Sequence, residues 1–334
     1  MSLTNDTASR RCVTIPALFL AAILLVLTLA LWIPIAVILD AVRGKFRLPL
    51  ARLLGFATCW AWLEVCGVTA AFALWLTGQA RNRRAHYALQ RWWAKNMLAV
   101  LGPLCGIRVD AQNAQAMQPG PALLFVRHAS LADSLVSAYV VGSLAGLEPR
   151  YVLKKELLID PCLDVVGQRI PNYFLDRGAN DSAPELAAIR ELVSDLGPQD
   201  IGIIFPEGTR SNPAKRASAL AKIAAKDPAR GEELQALQHL LPPRPSGAAA
   251  MRAGAPNVDI VLAWHVGFEG LDTFGGILQA LGRRIEPIRF VAHRVPSSEI
   301  PSAEISEGRA FADWLDQQWL ALDNEVGTAL LARR

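Results

Sequence analysis

The stretch Phe125-Val126-Arg127-His128-Ala129-Ser130-Leu131-Ala132-Asp133 decides how the rest of the chain is read. Leu123 to Val126 is an unbroken apolar run with Pro119, Gly120 and Pro121 behind it, so a short buried strand is predicted there. Ser130 and Asp133 stand three apart ahead of another apolar run, the spacing of a helix start. His128 is thereby set at a strand-to-helix turn. On a continuous helix, residues five apart point about 140° away from each other. Across a turn they can meet. Asp133 then accepts the Nδ1 proton of His128 and leaves Nε2 free as a base. The same residues also suit a plain capping box, with His128 only a turn residue.

A second stretch, Phe205-Pro206-Glu207-Gly208-Thr209-Arg210-Ser211, follows a predicted strand at Ile201–Phe205. Ligands collect at the carboxyl ends of α/β strands. Gly208 lets a ligand approach backbone N–H groups, and Arg210 has the planar fork that grips phosphate. Glu207 either orients Arg210 or contacts an acceptor, and Thr209 belongs to the same turn. The plainer reading is a strand-to-loop turn with a surface ion pair.

His-x4-Asp followed by Phe-Pro-Glu-Gly-Thr-Arg resembles the glycerolipid acyltransferase family, whose best-known members acylate lysophosphatidic acid. The likeness covers roughly residues 100–300 and is strongest over 123–211. It implies a central mixed sheet flanked by helices. It also implies transfer of a fatty acyl group from acyl-CoA or acyl carrier protein to the sn-2 hydroxyl of 1-acyl-sn-glycerol 3-phosphate or a related lysophospholipid. His128 would remove the hydroxyl proton and Asp133 would fix its tautomer. In the family an apolar-Asp-Arg stretch helps hold the acceptor phosphate, which assigns that role to Arg177 in Ile170-Pro171-Asn172-Tyr173-Phe174-Leu175-Asp176-Arg177. Lys154, in Lys154-Lys155-Glu156, resembles a basic family segment and reads equally as a phosphate contact or a plain surface lysine. Expected partners are the lysophospholipid, the acyl thioester and membrane lipids. No bound cofactor, metal or nucleic acid is expected.

The chain departs from the family pattern in two places. Arg127 precedes His128 where Asn is common, and Ile260-Val261-Leu262-Ala263-Trp264 replaces a Val-Pro-Val segment. A coenzyme-independent phospholipid transacylase and a catalytically silent lipid-binding protein are the rival readings. A serine hydrolase fits less well, because the chain has no Gly-x-Ser-x-Gly elbow and Ser130 is placed to cap a helix.

The totals point to a membrane-associated protein with a soluble part. Of 334 residues 52% are apolar and only 19% charged, with mean hydropathy +0.26. A net charge of +4 suits an anionic lipid surface or phosphate-bearing substrates. The five cysteines show no metal spacing and suggest no disulfide framework. Cys12 to Leu39 carries no charge and is long enough to span a hydrocarbon core of about 30 Å. Leu53 to Leu76 is a second apolar stretch, with Glu64 read as a helix-pair contact. Two full crossings would set the basic connector (Arg43, Lys45, Arg47, Arg52) opposite both Arg10-Arg11 and the cluster after the second stretch (Arg81, Arg83, Arg84). That opposes the positive-inside tendency. Either the tendency is broken or the helices dip into one leaflet and return.

The expected organisation is a helix pair over 1–80, an amphipathic interfacial helix over 81–106, and an α/β acyltransferase domain over 107–334 with a helical excursion at 212–240. In that domain strands are expected at 107–111, 123–126, 150–153, 170–175, 201–205, 259–265 and 289–293, and helices at 130–146, 184–196 and 310–331. Leu241-Pro242-Pro243-Arg244-Pro245 reads as a rigid turn that ends the excursion. The expected place is a bacterial inner membrane, with the catalytic domain facing the cytoplasm. His86 reads as a surface residue, His265 as core, and His239 and His293 as lacking identifiable partners.

Overall fold

The computed structural model describes residues 6–130, 132–176, 178, 182–271, 273–303 and 309–333. In chain order its elements are α1 (Thr7–Leu27), α2 (Leu29–Val42), α3 (Pro49–Leu76), α4 (Arg83–Cys105), β1 (Val109–Gln112), β2 (Ala122–Val126), α5 (Asp133–Tyr139), β3 (Glu148–Lys154), α6 (Pro161–Val166), β4 (Tyr173–Leu175), α7 (Ala183–Leu192), β5 (Asp200–Ile204), α8 (Pro213–Lys226), α9 (Pro228–Leu234), α10 (Pro245–Gly254), β6 (Asp259–Val266), α11 (Phe274–Leu281), β7 (Ile288–Val295) and α12 (Ala310–Leu331). Two compact units emerge. One comprises Met1–Val109, Leu153–Arg177 and Thr273–Pro287, and the other Asp110–Val152, Gly178–Asp272 and Ile288–Arg334. Residues 153–177 and 273–287, which the sequence reading leaves in the α/β domain, therefore cluster with the N-terminal helices.

The strands form one mixed sheet in the order β1-β7-β6-β2-β5-β3-β4. β2 and β5 are buried at every position, as expected of apolar strands covered on both faces. β2 runs parallel to both β5 and β6, while β7 is antiparallel to β6. The predicted strands are all present, shifted by a few residues at their ends.

The helices departed further from expectation. The predicted helix over 130–146 is regular only across α5, then passes into a π turn at Val140–Leu144 and leaves through Gly146 at φ +70°. Leu241-Pro242-Pro243-Arg244-Pro245, read as a rigid turn, instead delivers Pro245 to the first turn of α10, where a missing N–H costs nothing. The excursion is helical as expected. Asn212 and Asp227 cap α8 and α9 through Lys215 N at 2.8 Å and Arg230 N at 3.2 Å.

In the first unit the long uncharged run is two helices, not one. The Thr28 hydroxyl donates to Leu24 O at 2.6 Å where α1 gives way to α2. Asp40, buried at the end of α2, accepts from Leu50 N at 2.9 Å and Ala51 N at 3.1 Å, so it caps the start of α3 and fixes the return of the chain. Leu18 and Ala22 of α1 pack with Ala61, Val65, Val68 and Ala71 of α3 and Cys162, Val165 and Val166 of α6. A Cβ at Gly67 would sit 2.5 Å from Cys162 Sγ, so only glycine allows this approach. Arg10, itself buried, forks onto Asp164 at 3.1 and 2.8 Å, and Arg11 Nε joins at 3.1 Å. Glu64 accepts from Trp93 Nε1 at 2.8 Å and Cys162 N at 3.2 Å. It is a polar contact between helices, as expected, but its partners are on α4 and α6 and not within the N-terminal helix pair.

Helix α4 turns His86, Tyr87, Ala94, Met97, Leu101 and Cys105 inward. His86 is fully buried, correcting its surface assignment. Its Nδ1 lies 2.8 Å from Asn82 O and its Nε2 3.3 Å from Arg169 Nη1.

Candidate active site

Strand order brings the two motifs together. β2 and β5 are parallel neighbours, with Phe125 level with Ile204. His128 stands three residues past Phe125, and Phe205 to Glu207 lie one to three past Ile204. Neighbouring strands are about 4.8 Å apart, so the motifs emerge side by side at the carboxyl end of the sheet. The His128 and Phe205 ring centroids are 4.9 Å apart, and Ser211 N donates to His128 O at 2.8 Å.

Asp133 opens α5 and reaches back across the turn. Its Oδ2 lies 2.8 Å from His128 Nδ1 and accepts from Ala129 N at 2.6 Å. Ser130 N lies 3.0 and 2.9 Å from the two carboxylate oxygens, and the Ser130 hydroxyl donates to Oδ1. This is a capping arrangement and a His–Asp pair at once, so the two sequence readings are not exclusive. Burial pushes the Asp133 carboxyl upward, but attraction to His265 and the hydrogen bond from His128 outweigh it and hold it below the ordinary carboxylate range. A permanent carboxylate accepts the hydrogen bond from Nδ1–H and leaves Nε2 as the basic nitrogen. The Asp133 side chain is sealed, whereas that of His128 is 15% exposed. Only the imidazole reaches a reactant.

Glu207 has a different place from the one expected. It is buried, and neither oxygen is turned to Arg210. Oε1 accepts from His128 N at 2.7 Å and Oε2 from Leu241 N at 2.9 Å. The carboxyl therefore staples the backbone of the His128 turn to the 236–244 loop. Burial raises its pKa to about 8 against those two bonds and the Arg127 charge. Gly208 follows with φ +70°, and its N donates to Phe205 O at 2.9 Å. Thr209 and Arg210 are half-buried on the next turn.

Arg244 reaches this turn from the other side. A Cβ on Gly208 would stand 3.2 Å from Arg244 Nε and 3.4 Å from Cζ. Among the described residues, neither the Arg210 nor the Arg244 guanidinium has a carboxylate or hydrogen-bond partner. Two unpaired guanidinium groups at one glycine turn suit a phosphate-bearing ligand. The sequence reading passed over Arg244, which stands among three prolines. Lys154 is the last residue of β3. Asp176 pairs with Lys155 Nζ at 3.0 Å. Arg177 lies outside the described residues.

Arg127 leaves the site altogether. Its side chain is buried, with Nη1 donating to His265 O and lying 3.3 Å from Glu269 Oε1. The departure from the family pattern thus ties the end of β2 to the end of β6. His293, read as lacking a partner, lies 2.9 Å from Glu325 Oε2. Among the described residues no group of three His, Cys, Asp or Glu side chains is gathered to hold a metal.

The acyltransferase family model matches residues 108–262. No curated protein matches the chain in sequence. In fold the chain is similar to the crystal structure of the 1-acyl-sn-glycerophosphate (LPA) acyltransferase PlsC from Thermotoga maritima. The TM-score is 0.51 and the identity 13%, covering 81% of this chain and 96% of that one.

Proposed function

We propose that this chain, whose residues 108–262 match the acyltransferase family model, acylates the sn-2 hydroxyl of 1-acyl-sn-glycerol 3-phosphate or a related lysophospholipid, drawing the acyl group from acyl-CoA or acyl carrier protein. The observation that carries this reading is the 2.8 Å contact of His128 Nδ1 with Asp133, set beside the Gly208–Arg210 turn. His128 Nε2 takes the hydroxyl proton as the alcohol oxygen attacks the thioester carbonyl. The tetrahedral intermediate collapses, the C–S bond breaks, and the imidazolium returns the proton to the leaving thiolate. Ser130 is badly placed to act as a nucleophile, because its buried hydroxyl is donated to Asp133 and not to His128. Arg210 and Arg244 hold the anionic head of the acceptor. Arg177 and Lys154 are assigned to the same head on resemblance alone.

The N-terminal unit holds the enzyme to the membrane. Leu20, Leu24, Leu27, Leu31, Ile35 and Ile38 of α1 and α2 are exposed, an apolar surface that suits lipid. Helix α3 does not suit a crossing, since other segments of its own unit are tied to it near both ends. Arg52 donates to Leu104 O at 2.6 Å and Leu281 O at 2.7 Å, and Arg169 donates to Ala71 O at 2.7 Å. Residues 52 and 71 are about 28 Å apart along a helix, close to the full hydrocarbon thickness. We therefore read the helices as dipping into one leaflet from the cytoplasmic side, which sets all the basic clusters on one face and removes the conflict in their charges.

The test is acyl transfer by purified protein from acyl-CoA and from acyl-carrier protein, across a panel of lysolipids and glycerol 3-phosphate. Lysophosphatidic acid is expected to be the best acceptor. His128→Ala should lose on the order of 10²–10⁴-fold in rate. Arg210→Ala and Arg244→Ala should each raise the acceptor KM about tenfold or more, the worth of a charge-assisted hydrogen bond. Full activity of His128→Ala would remove the proposed base. Transfer from intact phospholipid with no thioester present would point to a transacylase instead.

A further inference from the structure

We infer that His265, on β6, is a positioning residue for the His128–Asp133 pair, closing on the Asp133 carboxylate from the side opposite His128. The His265 ring is buried, and its Nε2 lies 3.2 Å from Asp133 Oδ1. That is an ion-pair distance without the alignment of a full hydrogen bond, and among the described residues neither ring nitrogen has a hydrogen-bond partner. Buried polar atoms are ordinarily satisfied. A bare imidazole beside a reactive carboxylate is therefore a costly arrangement, and the carboxylate is the group it faces. The ring is steadied edge-on by Phe268, with centroids 5.5 Å apart. Its backbone carbonyl is held by Arg127 Nη1.

Asp133 thus lies between two imidazoles that differ in access. His128 takes Oδ2 and reaches reactants, while His265 faces Oδ1 and is sealed. Two further points favour a role in positioning over simple core filling. Strand residues alternate in direction. Trp264, the neighbour of His265, accordingly turns to the other face, where its Nε1 donates to Glu325 at 2.6 Å and Arg289 stacks on it. The charged groups of β7 and α12 that belong to this network, Arg289, His293 and Glu325, gather there. Among the described residues, the titratable and charged groups on the His265 side include Asp133, His128, Arg127, Glu207 and Glu269, with Arg333 beside Gly267. Arg127 is spoken for by Glu269 and by the His265 carbonyl, and Glu207 by two backbone N–H groups. His265 is then the side chain left to balance Oδ1 beyond Ser130.

An N–H or a positive charge at His265 draws carboxylate charge away from the His128 side. Removing it leaves that charge on His128, which then binds its proton more tightly. Both protonation states of His265 give the same sign. The inference uses the acyl-transfer reading for its kinetic test, so the closing experiment includes a measurement that does not depend on turnover.

The variants are His265→Phe, a ring of similar size without nitrogen, and His265→Gln, whose amide nitrogen falls near the place of Nε2. In ¹⁵N-histidine NMR of the full chain in detergent, the His128 titration is expected to move up by about half to one pH unit in His265→Phe and to return toward wild type in His265→Gln. The acid limb of the pH–rate profile should move by the same amount. At neutral pH, kcat should fall about 10–100-fold, the scale of imperfect base alignment, with KM for both substrates nearly unchanged. An unshifted His128 titration in a folded His265→Phe protein would overturn the inference. So would a His265→Gln protein that melts like wild type yet behaves like His265→Phe. If the wild-type chain transfers no acyl group, the functional reading fails, and the NMR titration still decides the role of His265.

Discussion

At the scale of single residues, the site depends on which carboxylate is ionised and why. Asp133 is buried but surrounded by donors, so it stays charged and directs the His128 tautomer. Asp133→Asn keeps the size and reverses that direction, since an amide can donate to Nδ1 and turn the ring proton onto Nε2. A loss in kcat of about 10³–10⁴-fold is expected, with little change in acceptor KM, by analogy with orienting acids elsewhere. Steady-state kinetics decide the matter, and a loss confined to KM would assign Asp133 to binding instead. Glu207 is the opposite case. Its folded pKa is raised from 4.5 to about 8. Across that window the folded protein keeps a proton that the unfolded chain has released. Stability therefore falls as pH rises through the window, and is fully present only below it. Melting curves of wild type and Glu207→Gln should diverge accordingly: the wild-type Tm falls with rising pH, and the variant lacks that part of the slope. Parallel curves would show that Glu207 ionises normally. The pairing of His128 with Asp133 was legible in the sequence, because a turn allows a five-residue spacing that a helix forbids. The inward turn of Glu207 was not, since its two acceptors are used by backbone N–H groups 79 and 34 residues away.

At the scale of elements, helix α12 supports the site from outside the matched family segment. Asp323 is buried and accepts from Gln238 N, His239 N and Leu240 N at 2.9, 2.7 and 2.7 Å. The next residue, Leu241, is the one that Glu207 holds. Arg230 ties the same loop to α12 through Asp316 at 2.6 and 2.8 Å and reaches Pro243 O at 2.9 Å. Asp323→Ala strands three N–H donors, and a loss of about 2–4 kcal/mol is expected, together with a drop in activity at temperatures where the fold is intact. Denaturant unfolding with an activity assay on the same samples tests this. Full activity at reduced stability would separate the loop from catalysis. Helix α12 itself is plain in the sequence, with the same bounds as predicted, because its apolar face recurs at helical spacing. Helices as short as α6 and α11 carry too few turns to show that period.

At the scale of the whole molecule, the first unit is built from three separated segments of chain, and its buried ion pair of Arg10 with Asp164 joins residues 154 positions apart. If α3 lies in one face of the bilayer, its two ends are on the same side. Single cysteines at exposed Lys45 and Gln79, on a background without the five native cysteines, should then both react with an impermeant thiol reagent from one side of sealed vesicles. Labelling from opposite sides would show a full crossing. The sequence by itself determined the sheet strands, the two site motifs, the apolar N-terminus and the family resemblance, because each is a local pattern of polarity, spacing or turn chemistry. Only the tertiary structure decided that His265 faces Asp133, that Arg244 meets Gly208, that Arg127 turns away from the site, and that His86 is buried. Those placements follow from which strands and loops lie side by side, and nothing in a residue's near neighbours along the chain encodes its partners across it.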